Sequence, residues 1–176
     1  MRLQTERLIV RPVRPRDREP IARLWSSPRV TRYLGGIRDR AAVRRSLREY
    51  SDPDAPYDLW AVEERSTGRV VGHCGLLPRR LDGDPVTEVI YVFGSRHWGK
   101  GYATEVARAL VDYAATRGCD ELYAFIDPAN LGSQRVAARL GFVHERTIPL
   151  AAGHREQVWV VRPSLAGSDP SEVLAG

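Results

Sequence analysis

The stretch that decides the fold runs from residue 86 to residue 118: VTEVIYVF (86–93), GSRHWGKG (94–101) and YATEVARALVDYAATRG (102–118). The first block is rich in β-branched and aromatic residues, as strands are. In the third block apolar residues recur at helical spacing from Ala103 to Ala114, and Gly118 ends the helix. A helix that starts after a glycine-rich loop presents unpaired N–H groups and the positive end of its dipole. The segment therefore predicts either an anion site or a tight turn without a ligand.

Two classes of anion can be weighed against this loop. Residues 94–101 fit GxxxxGK, the start of a nucleotide-binding P-loop, but Gly101 stands where that loop requires a Ser or Thr hydroxyl as a magnesium ligand. A predicted hairpin also precedes the strand, whereas a P-loop normally follows a parallel core strand. A nucleotide site is therefore the weaker interpretation, and the pyrophosphate of an acyl-coenzyme A is the stronger.

Three motifs follow one another along the chain: Thr5-Glu6-Arg7-Leu8 with Arg11-Pro12, then WGKGYATE (98–105), then Asn130-x-x-Ser133 followed by VAARLGF (136–142). Together they resemble the GNAT superfamily of N-acetyltransferases, in the branch of the RimJ/RimL-type ribosomal-protein enzymes. The resemblance covers about residues 3 to 162. It implies an acyltransferase that uses acetyl-CoA as its cosubstrate, needs no metal and acetylates a primary amine, on a protein N-terminus or on a small molecule.

The resemblance also implies where coenzyme A binds. The superfamily pattern Gln/Arg-x-x-Gly-x-Gly/Ala fits in two registers, from Arg96 or from Trp98, and the second keeps the family's distance from strand to loop. Backbone amides of residues 98–104 would hold the pyrophosphate, and the main chain of residues 91–93 would pair with the pantetheine arm. The expected coenzyme-binding residues are Tyr91, Val92, Phe93, Trp98, Gly99, Lys100, Gly101, Tyr102, Ala103, Thr104 and Asn130.

Two side chains are candidates for the chemistry. A free alkylamine has a pKa near 10.4, so a carboxylate base is useful at neutral pH. Glu88 matches the glutamate often found at this place in the family, although it can equally be an ordinary ion-paired strand carboxylate. Ser133 replaces the family's usual tyrosine acid, because Ala137 stands at the tyrosine position. Ser133 and Asn130 can instead cap the following helix, and an amide near Phe93 is the expected donor to the thioester carbonyl.

The rest of the pattern predicts an α+β domain. Helices are expected over residues 17–25, 38–50 and 131–140, strands over 8–13, 59–63, 69–77, 122–126, 142–148 and 157–162, and a polar loop over 79–85. Pro12 makes the first strand an edge or bulged strand. With the resemblance, this order implies a GNAT-like mixed, mostly antiparallel sheet that is splayed in the middle and flanked by helices. We expect one acetyltransferase domain over residues 1–163 and a disordered tail over 164–176.

The charge is polarised rather than uniform. The chain of 176 residues has a net charge of +5, and 26 of its 27 basic residues are Arg. Residues 1–50 carry 14 Arg against 5 acids, a net +9, so the remainder carries +5 minus +9, or −4. Nucleic-acid binding is disfavoured because no aromatic residues interleave with the arginines. Arginines facing the acceptor would select an anionic amine, whereas the acids of residues 52–58 and 82–84 would suit a cationic one.

Composition limits the remaining classes. Cys74 and Cys119 form no paired motif, so neither a disulfide framework nor a zinc site is predicted, and a reduced cytoplasm fits best. His73 and Cys74 lie in an apolar strand and are expected in the core. No apolar run approaches the roughly 18 residues of a membrane span. A homodimer is possible, and a catalytically silent acyl-CoA sensor remains the alternative to an enzyme.

Overall fold

The computed structural model describes residues 1–49, 58–150 and 153–163. Within these ranges eight strands form one sheet: β1 (Leu3–Gln4), β2 (Leu8–Arg11), β3 (Leu59–Glu64), β4 (Val70–Leu81), β5 (Asp84–Phe93), β6 (Leu122–Ile126), β7 (Val143–Pro149) and β8 (Arg155–Val161). Their order across the sheet is β1-β2-β3-β4-β5-β6-β8-β7. Neighbours are antiparallel except β5 and β6, which run parallel. The sheet is therefore mixed and mostly antiparallel, as predicted.

The described helices are α1 (Arg18–Trp25), α2 (Pro28–Thr31), α3 (Arg40–Glu49), α4 (Tyr102–Thr116) and α5 (Leu131–Arg139). The main core lies under α4 and α5, and Cys74 of β4 belongs to it. His73 points to the opposite face, where its Nδ1 accepts a hydrogen bond from the Trp25 indole at the end of α1 (3.1 Å). Helices thus flank both faces, which confirms the α+β class, and both His73 and Cys74 are buried as expected. No described helix is long and apolar enough to span a membrane.

The prediction of a polar loop over residues 79–85 is wrong, because these residues form the tip of a long β-hairpin. β4 and β5 pair without interruption from Gly72 opposite Phe93 to Leu81 opposite Asp84. Residues 82 and 83 turn the chain with φ values of 53° and 97°. Two positive φ values are typical of a type I′ turn, for which Asp-Gly is a favoured sequence.

The start of the chain also differs from the prediction. The first strand ends at Arg11, because Pro12 has no N–H to donate. It is not an edge strand, since β1 pairs with its outer side. Neither β1 nor α2 was predicted. The predicted tail over residues 164–176 lies outside the described residues.

The sheet opens between β5 and β6. These strands are joined over two residue pairs, Thr87 with Leu122 and Glu88 with Tyr123. Beyond Glu88, β5 remains paired with β4 and β6 remains paired with β8. The splay therefore begins directly after Glu88, before residues 91–93, which are expected to pair with the pantetheine arm. We call the opening, bounded by residues 89–93 on one arm and by residues 124–133 on the other, the β5–β6 cleft.

Candidate active site

The loop before α4 is shaped to expose main-chain N–H groups. Gly99 and Gly101 have φ values of 75° and 81°, a conformation that glycine adopts without a steric penalty from Cβ. The N–H of Glu105 donates to the Gly101 carbonyl at 3.0 Å, so the N–H groups of residues 102–104 have no partner within the helix. No side chain caps this helix start. Free N–H groups and the helix dipole together give the start of α4 the chemistry that suits an anion.

The N-terminal segment holds this helix start in place. The Glu105 carboxylate accepts hydrogen bonds from the Thr5 hydroxyl (2.6 Å), the Arg7 backbone N–H (2.8 Å) and Arg7 Nε (2.7 Å). Arg7 Nη1 also donates to the Lys100 carbonyl (2.9 Å). Burial alone would raise the pKa of Glu105, but the hydrogen bonds from Thr5 and Arg7 outweigh it and lower the pKa. We call this arrangement the Arg7–Glu105 clasp; it joins two of the sequence motifs in space.

The edge of β5 offers further main-chain donors to the cleft. Gly94 N–H donates to the Val71 carbonyl of β4 (3.1 Å). Hydrogen bonding alternates along an antiparallel strand, so the N–H groups of Val89, Tyr91 and Phe93 point away from β4. The parallel pairing of Glu88 with Tyr123 engages the Val89 N–H, which leaves those of Tyr91 and Phe93 facing the cleft. The Phe93 carbonyl accepts a hydrogen bond from Trp98 Nε1 (2.8 Å). This bond ties residues 98–101, which are expected to hold coenzyme A and are called the coenzyme loop below, to the strand end.

The first turn of α5 forms the other arm of the cleft. Asn130 Oδ1 accepts a hydrogen bond from the Ser133 backbone N–H (3.2 Å), and Asn130 Nδ2 donates to the Ser133 hydroxyl (3.0 Å). Asn130 therefore caps α5. The Tyr91 hydroxyl donates to the Ser133 carbonyl at 3.3 Å and so bridges the two arms. Burial raises the pKa of Tyr91 to about 12, so this hydroxyl keeps its proton at neutral pH.

Glu88 lies where β5 and β6 separate. Its neighbours Val89 and Phe93 belong to the core under α4, so alternation turns Glu88 to the face that α1 covers. Its side chain is 15% exposed, and both carboxylate oxygens are 3.4 Å from Arg79 Nη1. Burial raises the pKa of Glu88, the Arg79 cation opposes that shift, and the Glu156 carboxylate adds to it. Glu88 is thus both an ion-paired carboxylate and one whose affinity for a proton is increased.

The structure brings the sequence candidates around one cleft but leaves them at different places along it. The loop and the exposed N–H groups line one arm, Asn130 and Ser133 start the other, and Glu88 lies at the closed end. Sequence reasoning missed Arg79, Glu156 and the bridging hydroxyl of Tyr91. Arg79 and Glu156 are 77 positions apart, so no local pattern indicated that they meet.

Comparisons with known proteins agree with this geometry. The model of the acetyltransferase (GNAT) domain matches residues 7–143. The chain belongs to the GNAT acetyltransferase family. An uncharacterized protein of Bacillus subtilis, YkkB, is 35% identical over 151 residues, which are 84% of this chain and 88% of that protein.

Solved structures show the same fold. The GNAT acetyltransferase from Bacillus anthracis is 24% identical with a TM-score of 0.79 and covers 93% of this chain and 99% of its own. Spermidine N-acetyltransferase from Vibrio cholerae, solved with CoA and spermine, is 16% identical with a TM-score of 0.75 and covers 89% of this chain and 96% of its own. At these identities the likeness shows the fold alone.

GNAT acetyltransferases take their acetyl group from acetyl-CoA, and the residues of the cleft fit that molecule. The free N–H groups at the start of α4 suit a pyrophosphate, and the unpaired edge of β5 suits the amides of an extended pantetheine arm. Among the residues that the structure describes, no three His, Cys, Asp or Glu side chains are grouped as a metal ion would require.

Proposed function

We propose that this GNAT acetyltransferase transfers the acetyl group of acetyl-CoA directly to a primary amine, on a small molecule or on a protein N-terminus. One observation carries the proposal. The β5–β6 cleft has a helix start with free N–H groups on one arm, main-chain donors along its edge, and a partly buried carboxylate with a raised pKa at its closed end. These are the parts that a thioester donor and an amine acceptor require.

Coenzyme A would bind mainly through backbone amides. Its pyrophosphate would lie on residues 98–104, and its pantetheine arm would run along residues 91–93 toward Glu88. The side chain of Asn130 would border the arm from the opposite side. Because these donors are backbone N–H groups, the affinity for coenzyme A would depend on a fixed conformation of the loop. The Arg7–Glu105 clasp stabilises that conformation.

Glu88 would act as the general base. The acceptor amine must lose a proton to attack the thioester carbon, and an ionised carboxylate can take it directly or through one water. A raised pKa makes Glu88 a better proton acceptor than an exposed glutamate while leaving it ionised above that pKa. The neighbouring Arg79 keeps the carboxylate oriented.

The thioester needs a hydrogen-bond donor to its carbonyl oxygen and a proton for the leaving thiolate. As the nitrogen–carbon bond forms, negative charge develops on the thioester oxygen, and the β5 main-chain N–H nearest the end of the pantetheine arm, that of Tyr91, would stabilise it. When the carbon–sulfur bond breaks, the thiolate of coenzyme A needs a proton. Ser133, at the first turn of α5 beside Asn130, would supply it and recover one from solvent.

Thermal shift with acetyl-CoA against Mg-ATP, followed by thiol release across a panel of amines and peptide N-termini, tests this function. Stabilisation by acetyl-CoA and acceptor-dependent thiol release are expected. Stabilisation by Mg-ATP alone would exclude the proposal in favour of a nucleotide site. Stabilisation by acetyl-CoA without thiol release from any acceptor would identify a silent sensor.

The base is tested with a matched pair of variants. Glu88→Gln should lower kcat by about a hundredfold or more at unchanged affinity for acetyl-CoA, the usual size of a general-base contribution. Asp112→Asn is the control, because Asp112 is exposed on α4, which packs on the face of the sheet opposite Glu88. Equal rates for both variants would remove Glu88 from the mechanism.

A further inference from the structure

A second cavity, of about 450 Å³, lies beside the coenzyme loop. Its wall comes from four segments: the turn Pro15–Asp17, α1 with the start of α2, the β3–β4 turn (residues 68–71) and the turn Ser95–His97. No residue of β6 or α5 is among the described residues that line it, so it lies outside the β5–β6 cleft. Its volume falls within the range of about 300–1,000 Å³ typical of small-molecule sites. We call it the arginine pocket.

Each of the four wall segments contributes one arginine to the pocket: Arg16, Arg23, Arg69 and Arg96. The one carboxylate among the described lining residues is Asp17, which is 2% exposed and already paired with Arg11 at 2.5 Å. Arg16 is 3.7 Å from Glu63 and Arg23 is 3.2 Å from Glu19, whereas Arg69 and Arg96 form no ion pair with any described residue. The pocket therefore holds a large excess of positive charge.

Part of the pocket lining is apolar. It consists of Pro20, Leu24, Val30, Val70 and Val71. Leu24 lies directly over Gly94, where a Cβ would come within 3.3 Å of Leu24 Cδ2. A lining that combines four arginines with five apolar residues suits a molecule with an anionic head and an apolar body better than a fully hydrated inorganic ion.

We propose that the arginine pocket binds a phosphate or carboxylate group of an organic molecule at the same time as coenzyme A occupies the cleft. The guanidinium groups would contact the anion, and the apolar part would lie on Leu24 and the two valines of β4. Simultaneous binding is expected because the pocket ends at His97, whereas the coenzyme loop starts at Trp98 and donates from the start of α4. The shared turn Ser95–His97 makes the two sites neighbours without making them one.

The anion has two possible sources with the same chemistry. The pocket lies on the face of the sheet that α1 covers, which is also the face of Glu88. The acceptor amine can therefore carry the anionic group, in which case the inference rests on the proposed function. Alternatively, the anion belongs to a separate ligand.

Calorimetric titration with phenyl phosphate tests the site directly. The full-length protein is first saturated with coenzyme A, so that the loop before α4 is no longer available to the probe. One equivalent of phenyl phosphate should then bind with a Kd of about 1 mM or tighter, and phenol should not bind. Loss of phenyl phosphate binding on saturation with coenzyme A would overturn the proposal, because the probe would then be occupying the coenzyme loop.

A matched pair of double variants separates the pocket from the protein's general charge. Arg23→Ala with Arg69→Ala should weaken phenyl phosphate binding by about tenfold or more, since hydrogen bonds to charged groups are lost. Arg108→Ala with Arg117→Ala removes the same charge from α4 and from the residue that follows it, on the opposite face of the sheet, and should leave binding unchanged. If both double variants weaken phenyl phosphate binding equally, the loss comes from the change in the protein's net charge, and the arginine pocket is rejected as the binding site.

Thiol release then identifies the source of the anion. Amines with and without a phosphate or carboxylate group are compared in the wild type and in the Arg23/Arg69 double variant. A KM that rises in the double variant for anionic amines alone assigns the pocket to the acceptor. If the double variant has the same KM values as the wild type for all amines, and the wild type binds phenyl phosphate, the pocket is assigned to a separate ligand. Failure of phenyl phosphate to bind the wild type rejects the pocket, whatever the enzyme's activity.

Discussion

Arg79 places its Nη1 atom 3.4 Å from both carboxylate oxygens of Glu88, and its Nη2 atom lies 2.5 Å from Oε2 of Glu156. Its guanidinium group also covers the ring of Phe125 at 3.6 Å from the centroid. One cation thus lies between two carboxylates on the face of the sheet that bears the candidate base. The pKa of Glu88 results from a competition: burial and Glu156 raise it, and Arg79 lowers it.

The rise of kcat/KM with pH, on the acid side of the pH profile, should therefore shift in opposite directions in the variants Arg79→Gln and Glu156→Gln. Glu88 must be ionised to accept a proton, so kcat/KM should rise as the pH rises through the pKa of Glu88. Arg79→Gln removes the cation that lowers this pKa and should move the rise to higher pH. Glu156→Gln removes a like charge and should move it to lower pH. Profiles of kcat/KM against pH measure both shifts, and movement in the same direction would contradict this electrostatic account.

The parts of the fold that sequence predicts best are those set by local pattern. The helix α4 and the strand β6 follow directly from their apolar spacing, because one face of each is buried in the same core. The tip of the β4–β5 hairpin was missed, since its polar residues look like a loop. In the structure Arg79 pairs with carboxylates on β5 and β8, so a charged residue is favourable at this strand position. The two carboxylates approach Arg79 only in the folded chain, so the local sequence does not indicate the pairing.

The charge pattern shows the same limit. The excess of arginine in the first 50 residues raised the prospect of arginines that face an anionic acceptor, but many of these arginines are paired with carboxylates. Arg11 binds Asp17 and Glu63, and Glu19 receives three arginines, Arg23, Arg40 and Arg44. In the arginine pocket, Arg69 and Arg96 form no ion pair with a described residue, and both lie outside the basic stretch of sequence. Net charge by segment therefore did not locate the positive site.

Breaking the Arg7–Glu105 clasp should weaken coenzyme binding specifically. Arg7→Ala removes the bonds to Glu105 and to the Lys100 carbonyl, so the helix start and the loop lose their common anchor. We expect the KM for acetyl-CoA to rise by about tenfold, the equivalent of about 1.4 kcal/mol, with the acceptor KM unchanged. Arg162→Ala, at an 81% exposed surface ion pair, is the control and should leave both constants unchanged. An equal rise in the two KM values for Arg7→Ala would indicate general loosening of the fold.

Two glycines should respond oppositely to alanine. A Cβ on Gly75 would lie 1.9 Å from the Asp58 carbonyl oxygen, so Gly75→Ala must displace the start of β3. A loss of about 3 kcal/mol in the free energy of unfolding is expected. Gly132 lies in α5 with its nearest neighbour, Asn130 Oδ1, at an ordinary 3.5 Å. Gly132→Ala should stabilise by about 0.5–1 kcal/mol. Urea unfolding measures both, and a stable Gly75→Ala variant would show that β3 can shift freely.

The buried pair of Arg11 and Asp17 should make stability depend on pH. Burial would raise the pKa of Asp17, but hydrogen bonds from Arg11 and from the Arg14 N–H outweigh it and lower the pKa. A lowered pKa contributes stability above the unfolded value of about 3.9 and loses it as the pH falls through the folded value. Asp17→Asn should cost about 3 kcal/mol at pH 7, and the difference from wild type should narrow below about pH 3.9. The exposed Asp112→Asn is the control, and a pH-independent difference would contradict the linkage.

The acid role of Ser133 can be separated from helix capping, because the cap is made by other atoms. Asn130 Oδ1 accepts from the Ser133 backbone N–H, which Ser133→Ala retains. That variant should keep its Tm while kcat falls by about a hundredfold, if the hydroxyl protonates the leaving thiolate. Asn130→Ala removes the cap itself and should cost about 1 kcal/mol of stability. Wild-type turnover in Ser133→Ala would exclude the acid role and leave the Tyr91 hydroxyl, which bonds the Ser133 carbonyl across the cleft, as the next group to test.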